Sequence, residues 1–241
     1  KYGVFEISAN QIKEVREPSL MTKFDTYDSR PSAFGKKLAI LPNSRGTYLI
    51  GNFDAYRKFP EIENDINHVE FPDYFETINK NQINSEANAI NVMSITNILN
   101  DFLGEEDMVQ TISGRMGSGI FDFNILDTKN KNNIYFYVQN SQIEIDGGFE
   151  NQNAIAIIEG KNIFNDNFLV RQLYYPLRCW QSKVSKIIRP IFMVYSNNIF
   201  RLMEYEFTDI KNYSSISFIR QKNYSFEETT ISIKDLIEVL N

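Results

Sequence analysis

Apolar residues recur along this chain mainly in the short runs and alternating patterns that are typical of β-strands. The run 154–158 is apolar at every position, which predicts a strand covered on both faces. Two glycines at 147–148 are expected to end the strand before them in a tight turn. The predicted strands are 37–41, 47–51, 119–127, 133–139, 142–146, 154–159, 187–196, 198–207 and 216–226.

Helical periodicity is clearest in the segment 84–103, where Asn84 or Ser85 can cap the first turn. Its apolar positions recur three and four residues apart, at Val92, Ile95, Leu99 and Phe102. Further helices are predicted near 10–16, from Asn165 or Asp166 onward with a kink at Pro176, and over 232–241 with Ser232 as its cap.

The order of these elements predicts an α/β fold with a central mixed β-sheet flanked by helices. The strands from 119 to 159 are expected to form one sheet of antiparallel and then mixed character. Residues 1–80 mix short elements and are interpreted as an N-terminal α+β elaboration, and residues 81–241 as the core domain.

Composition excludes several kinds of site. Of the 241 residues, 42% are hydrophobic, which supports a buried core, and no apolar run approaches the ~20 residues of a membrane span. A single cysteine, Cys179, excludes internal disulfides and multi-cysteine zinc sites, and it is expected to be a packing residue. A single histidine, His68, excludes paired-histidine chemistry; it could serve a triad, but its neighbours favour an ordinary strand edge. Hydrolytic chemistry would therefore depend on carboxylates, lysine and a metal, and a reducing cytoplasm is expected.

Charge is unevenly distributed around the net value of −6. Residues 1–60 carry ten Lys or Arg against six Asp or Glu, whereas residues 61–150 carry four against sixteen. Overall acidity disfavours strong non-specific binding of nucleic acid. Basic and aromatic residues mixed in the first segment nevertheless suit phosphate contacts, and Lys36, Lys37 and Arg45 are candidates; solvated surface charges are the alternative.

The candidate chemistry lies at the ends of two neighbouring predicted strands. In 142–146 alternate side chains share a face, so Glu144 and Asp146 point the same way, with Asp146 at the strand end. The next strand ends in Glu159, Gly160 and Lys161. Two carboxylates can hold a divalent cation, the glycine carbonyl can approach it, and the lysine would lie beside an attacking water. A chance occurrence of this short pattern is the alternative interpretation.

Basic and polar residues around this pair are further candidates. Arg171 and Arg178 share a face of the helix that follows, and Gln172 lies beside it, so these residues could hold a phosphate group. Arg115 lies in a glycine-rich segment, 114–119, that lacks the Lys-Ser/Thr of a phosphate loop and is expected to be a flexible loop.

The order strand-Asp, strand-Glu-x-Lys, helix resembles the core of the PD-(D/E)XK nucleases. The strings IEIDGGFE, IIEGK and RQLYYP, with SGRMGSGIFDF at 113–123 and REPSLMTKFD at 16–25, resemble a group of bacterial type II restriction endonucleases. Ile145 stands where the usual proline precedes the first acid. Asp146 is preferred over Glu144 as the first metal ligand because it is expected to end the strand. Glu86, at the start of the predicted helix, loosely matches a glutamate that supports the metal site in this superfamily. The alternative is that Glu86 only stabilises the helix dipole.

This resemblance implies a PD-(D/E)XK restriction endonuclease-like core and Mg²⁺-dependent, sequence-specific cleavage of double-stranded DNA that leaves 5′-phosphate ends. Asp146 and Glu159 would hold the metal, and Lys161 would orient or help deprotonate the water. It also implies a homodimer in a bacterial cytoplasm and a companion DNA methyltransferase. The alternatives are a repair, junction-resolving or methylation-dependent nuclease of the same superfamily, a non-catalytic DNA-binding protein, and a structural protein.

Overall fold

The structure, a computed structural model, describes residues 3–35 and 37–226. Lys36 and the predicted helix 232–241 lie outside these residues. The strands are β1 Phe5–Ser8, β2 Ala39–Pro42, β3 Thr47–Gly51, β4 Tyr56–Lys58, β5 Ile66–His68, β6 Val109–Gly117, β7 Ile120–Leu126, β8 Asn133–Gln139, β9 Gln142–Glu150, β10 Ala154–Lys161, β11 Asn167–Leu169, β12 Ile187–Ser196, β13 Ile199–Phe207 and β14 Ile216–Ser225. The α-helices are α1 Ala9–Lys13, α2 Pro18–Thr22, α3 Glu86–Ile95, α4 Ile98–Leu103 and α5 Arg171–Gln181.

A mixed sheet forms the centre of the described chain, with the strand order β5-β14-β13-β12-β10-β9-β6. Strands β6, β9 and β10 are antiparallel neighbours. Helix α5 then crosses over, and β12 returns parallel to β10. Strands β13 and β14 extend the sheet antiparallel to β12. The coarse prediction of an α/β fold with a mixed sheet is confirmed.

Both faces of the sheet are covered, which explains the continuously apolar run of β10. Ile155 and Ile157 pack into a core shared with α5. Ala156 and Ile158 pack on the opposite face into a second core shared with α3 and α4. Glu159, the first charged residue of β10, is still buried, and only Lys161 at the end of the strand is partly exposed.

The hairpin formed by β7 and β8 was expected within the central sheet, and this expectation is wrong. The two strands pair with each other in a separate two-stranded sheet. Their inner face buries Phe121, Phe123 and Phe136 against Tyr174 of α5. Alternation in the sequence predicts that one face is buried but does not specify the element that covers it.

Two expectations about glycines are also wrong. Strand β9 continues through Gly147 and Gly148 to Glu150, so Asp146 lies inside the strand and not at its end, as was expected. A Cβ atom at Gly148 would lie 2.7 Å from Cβ of Ile112, and one at Gly147 would lie 3.0 Å from Cγ2 of Ile90. These glycines therefore permit close packing within the sheet and do not form a turn. Of the glycine-rich segment 114–119, which was expected to be a flexible loop, residues 114–117 belong to β6 and residues 118–119 connect it to β7.

The predicted helices differ from the structure in their bounds. The segment 84–103 is divided between α3 and α4 by Asn97, whose φ of 56° places it in the left-handed region. The helix expected from Asn165 or Asp166 begins at Arg171, because residues 167–169 form β11 and pair with β4. Pro176 lies inside α5.

The N-terminal residues form a three-stranded sheet in the order β1-β3-β2. Strand β4 pairs with β11, and β5 pairs with β14 of the main sheet. His68 lies exposed on this edge strand, as expected. Within the described ranges, no helix combines the length and the apolar character that crossing a membrane requires.

Candidate active site

A cavity of about 210 Å³ opens beside β9, β10 and the start of α5. Among the described residues, the carboxylates that line it are Asp25, Glu86, Glu144, Asp146 and Glu159. The cationic side chains that line it are Lys23, Lys161 and Arg171. Acidic groups therefore outnumber basic groups in a confined volume, which favours the binding of a cation.

Asp146 and Gly160 meet across the β9–β10 boundary. The amide N–H of Gly160 donates a hydrogen bond of 2.8 Å to Oδ2 of Asp146. A Cβ atom at position 160 would lie 3.1 Å from Cε of Met193, 3.5 Å from Cβ of Glu86 and 3.7 Å from Oδ2 of Asp146. Glycine thus leaves room for both carboxylates. Burial, reinforced by the charges of Glu144 and Asp25, raises the pKa of Asp146.

Glu159 accepts two hydrogen bonds on a single oxygen. Nζ of Lys161 donates to Oε1 over 2.7 Å, and Nε2 of Gln172 donates to the same atom. The Glu159 residue is 7% exposed, and burial raises its pKa to about 8 against the opposing charge of Lys161. Burial alone would lower the pKa of Lys161, but the charges of Glu159 and Asp25 raise it, so the amine remains an ammonium group.

Glu86 is the first residue of α3, and Ser85 caps this helix by accepting a hydrogen bond from the amide of Asn88. The carboxylate of Glu86 also lines the cavity. Burial raises the pKa of Glu86, and the charge of Asp146 acts in the same direction. Glu86 therefore occupies both positions considered from the sequence, a first helical turn and the edge of the acidic site.

The predicted arginines separate into three environments. Arg171 lines the cavity and lies over the ring of Tyr175, 5.7 Å from its centroid. Arg115 lies at the rim on β6, where its Nε atom is 3.1 Å from Oε1 of Glu144. Arg178 is directed elsewhere. Its Nη1 atom donates to the carbonyls of Asp122 and Ile210 and to the hydroxyl of Tyr174.

Two predicted DNA-binding residues of the N-terminal segment lie outside the cavity lining. Arg45 is exposed on the turn between β2 and β3, and Lys37 is exposed before β2. Lys36 falls outside the described residues. The structure thus brings Glu144, Asp146, Glu159, Lys161 and Gln172 together, and it leaves Arg45 and Lys37 as surface cations.

Two residues that line the cavity, Lys23 and Asp25, were not predicted to belong to this site. Oδ2 of Asp25 lies 3.6 Å from Nζ of Lys161, and Nζ of Lys23 lies 3.9 Å from Oε2 of Glu144. Both residues belong to the string REPSLMTKFD, so the resemblance of that string was the available signal. No local pattern indicates that this segment reaches strands more than a hundred residues away.

The carboxylates of the cavity meet the small ligand requirement of a magnesium ion. In residues 3–35 and 37–226, no group of three or more His, Cys, Asp or Glu side chains is arranged to hold a metal ion. Mg²⁺ is usually bound through one or two carboxylates, with waters and substrate phosphates completing its octahedron. Asp146 and Glu159, on neighbouring strands in one acidic cavity, fit that requirement. Coordination by the carbonyl of Gly160 stays a prediction.

Comparison with known proteins gives two family matches. The family model described as Domain of unknown function (DUF6997) matches residues 51–225. A second model, described as Domain of unknown function (DUF6996), matches residues 1–50. No curated protein and no solved structure matches the chain. The cavity draws residues from both matched segments, with Lys23 and Asp25 in residues 1–50 and the remaining site residues in residues 51–225.

Proposed function

This chain belongs to the family described as Domain of unknown function (DUF6997), and we propose that it is a magnesium-dependent nuclease that cuts double-stranded DNA at a specific sequence. The observation that carries this proposal is the convergence of Asp146, Glu159, Lys161 and Gln172 in one acidic cavity, where the end of β10 lies beside the middle of β9. Burying the Glu159 carboxylate costs free energy of folding, even though one of its oxygens accepts hydrogen bonds from the Lys161 ammonium and the Gln172 amide. Such perturbed carboxylates cluster at functional sites.

The order of the elements also supports the proposal. The antiparallel strands β6, β9 and β10 are followed by α5, and β12 then pairs parallel to β10. Asp146 lies on the second of these strands and Glu159 with Lys161 on the third. This arrangement is consistent with the strand-Asp, strand-Glu-x-Lys, helix order that resembles the PD-(D/E)XK core.

Each side chain has a defined part in the proposed hydrolysis. A bound Mg²⁺ would activate water and offset negative charge on the phosphate. Asp146 and Glu159 would hold the ion, and Gln172 keeps the Glu159 carboxylate in a fixed orientation by donating to Oε1. Lys161, which donates to Glu159 in the same cavity, would stabilise negative charge that develops on the phosphate. Arg171 lies at the same cavity and suits a phosphate contact.

Recognition of a palindromic target would require two-fold symmetry, so a homodimer is part of the proposal. A companion DNA methyltransferase would protect the host target. The narrower description, a type II restriction endonuclease that leaves 5′-phosphate ends, rests on the resemblance of the strings around Asp146, Glu159 and Arg171.

The direct test is incubation of the purified protein with unmethylated phage DNA in Mg²⁺, followed by gel electrophoresis. We expect discrete fragments with Mg²⁺ and none when EDTA is added. Lys161→Ala protein purified in parallel controls for contaminating nucleases. A wild-type smear would reject sequence specificity and favour a repair or non-specific nuclease. Intact DNA across several phage genomes, methylated and unmethylated, would reject the nuclease proposal.

Replacing Gly160 tests whether the space beside Asp146 matters. Gly160→Val should lower the cleavage rate by about 100-fold, because displacing a reacting group by about 1 Å costs a factor of that size. The added methyl groups would meet Met193, Glu86 and Asp146. Gly117→Val is the matched control, since a Cβ atom there meets nothing within 4 Å. Equal rates for the two variants at 25 °C would show that the cavity tolerates a shift of Asp146.

A further inference from the structure

The carboxylate of Asp25 enters the cavity from the N-terminal segment, in the part of the chain matched by a different family model from the other acidic residues. Its Oδ2 atom lies 3.6 Å from Nζ of Lys161. The same ammonium donates a hydrogen bond of 2.7 Å to Glu159. Lys161 is therefore held between two carboxylates that belong to separate parts of the sequence.

Hydrogen bonds fasten residues 24–27 to β4 and β11, so the position of Asp25 is fixed by the fold. Phe24 is 6% exposed and anchors the segment in the interior. The three bonds run from the amide of Leu169 to the carbonyl of Asp25 (2.9 Å), from the hydroxyl of Tyr56 to the carbonyl of Phe24 (2.8 Å), and from the amide of Tyr27 to Oδ1 of Asn167 (2.7 Å). Leu169 is followed closely by Arg171 and Gln172, so one rigid frame holds both sides of the site.

Contact with Glu159 alone does not fix the direction of the Lys161 ammonium group. Its Oε1 atom accepts from both Lys161 and Gln172. A lysine side chain is flexible and carries three rotatable donors, so one contact leaves the direction of the ammonium undefined. A second carboxylate at a fixed position restricts the ammonium to one direction. The Asp25 side chain is 44% exposed, compared with 23% for Lys161, and it faces the cavity that both residues line.

We propose that Asp25 is a positioning residue for Lys161, which makes the N-terminal segment a working part of the active site. This inference rests on the proposed nuclease function, because positioning matters only if Lys161 takes part in the reaction. Asp25 acts through the lysine and contacts it from outside the Glu-x-Lys strand. The two family segments would then form one catalytic unit.

The test compares Asp25→Asn with Asp28→Asn, a change of the same kind at an exposed position three residues away. We expect Asp25→Asn to lower kcat by about 10- to 100-fold, a size typical of residues that orient others in a site. KM for DNA and the Mg²⁺ concentration at half-maximal rate should be unchanged, and Asp25→Glu should recover part of the rate. Tm should fall only slightly, because an ion pair between partly exposed side chains contributes little to stability. In a Lys161→Ala background, Asp25→Asn should have less than about a twofold effect, since the group it positions is gone.

Several outcomes would overturn the assignment. An unchanged kcat in Asp25→Asn would remove any role in the reaction. A tenfold rise in the Mg²⁺ requirement, with full rate at saturating Mg²⁺, would make Asp25 a cation ligand. A large drop in Tm together with kcat would indicate a structural role only.

Failure of the nuclease proposal itself is recognised separately, as wild-type protein that cuts no DNA. The contact can then be tested through the Tm values of Asp25→Asn, Lys161→Met and the double variant. Non-additive shifts would show that the two side chains are coupled as the structure indicates. Additive shifts would overturn the pairing on which the inference depends.

Discussion

Lys161→Ala is expected to lower the rate of DNA cleavage by about 10²- to 10⁴-fold, the range observed when a positioned acid–base or charge-stabilising group is removed. The loss has two physical causes. No ammonium would offset charge developing on the phosphate, and Oε1 of Glu159 would lose the ammonium that donates to it over 2.7 Å. Single-turnover rates at saturating enzyme and Mg²⁺ measure the effect.

Two controls separate catalysis from folding and from binding. Lys58→Ala removes an exposed lysine on β4, and it should leave the rate unchanged. Gel-shift titration with Ca²⁺ in place of Mg²⁺ should show that Lys161→Ala still binds DNA. A Lys161→Ala rate within threefold of wild type would remove Lys161 from the reaction. Equal losses in rate and in DNA binding would make it a binding residue.

The predictable part of the site is local in sequence. Asp146, Glu159 and Lys161 converge because β9 and β10 are adjacent in the sequence and pair antiparallel, which places the end of β10 beside the middle of β9. Gln172 follows on the next helix. The helix bears Gln172 close to Glu159 even though it begins at Arg171, later than predicted. Asp25 could not be placed in the same way, because its position depends on hydrogen bonds to β4 and β11 that no periodicity encodes.

The fold shows the same division between local and distant information. Strand β10 is predictable from its apolar run, because burial on both faces requires an apolar residue at every position. Gly147 and Gly148 carry an ambiguous signal, because glycine is required both in a turn and at close contacts, here with Ile90 and Ile112. The alternation of apolar and polar residues predicts strands β7 and β8, but it does not indicate that α5 covers their apolar face.

Glu204→Gln is expected to produce the largest loss of stability, about 3 kcal/mol, because it removes the buried carboxylate that pairs with two partly buried guanidinium groups. Glu204 is 4% exposed on β13. Its oxygens accept from Arg189 on β12 over 2.6 and 2.9 Å and from Arg220 on β14 over 2.8 Å. Both arginines also donate to the carbonyl of Leu103 at the end of α4. The estimate is at the low end of the usual range because the Arg220 side chain is 42% exposed and partly screened.

The pH dependence of that loss identifies its origin. Burial alone would raise the pKa of Glu204, but hydrogen bonds and charges from Arg189 and Arg220 hold it below its ordinary value. A carboxylate whose pKa is lower in the folded state than in the unfolded state stabilises the fold at pH values above its unfolded-state pKa. This stabilisation is lost as pH falls through the folded-state pKa. Thermal unfolding at pH 7 should therefore show Tm about 6–12 °C lower for Glu204→Gln, and this difference should shrink below pH 4. Glu206→Gln, at an exposed position on the same strand, should match wild type throughout. A difference that stays constant with pH would assign the loss to side-chain shape, whereas a shrinking one assigns it to the charge that joins three strands to α4.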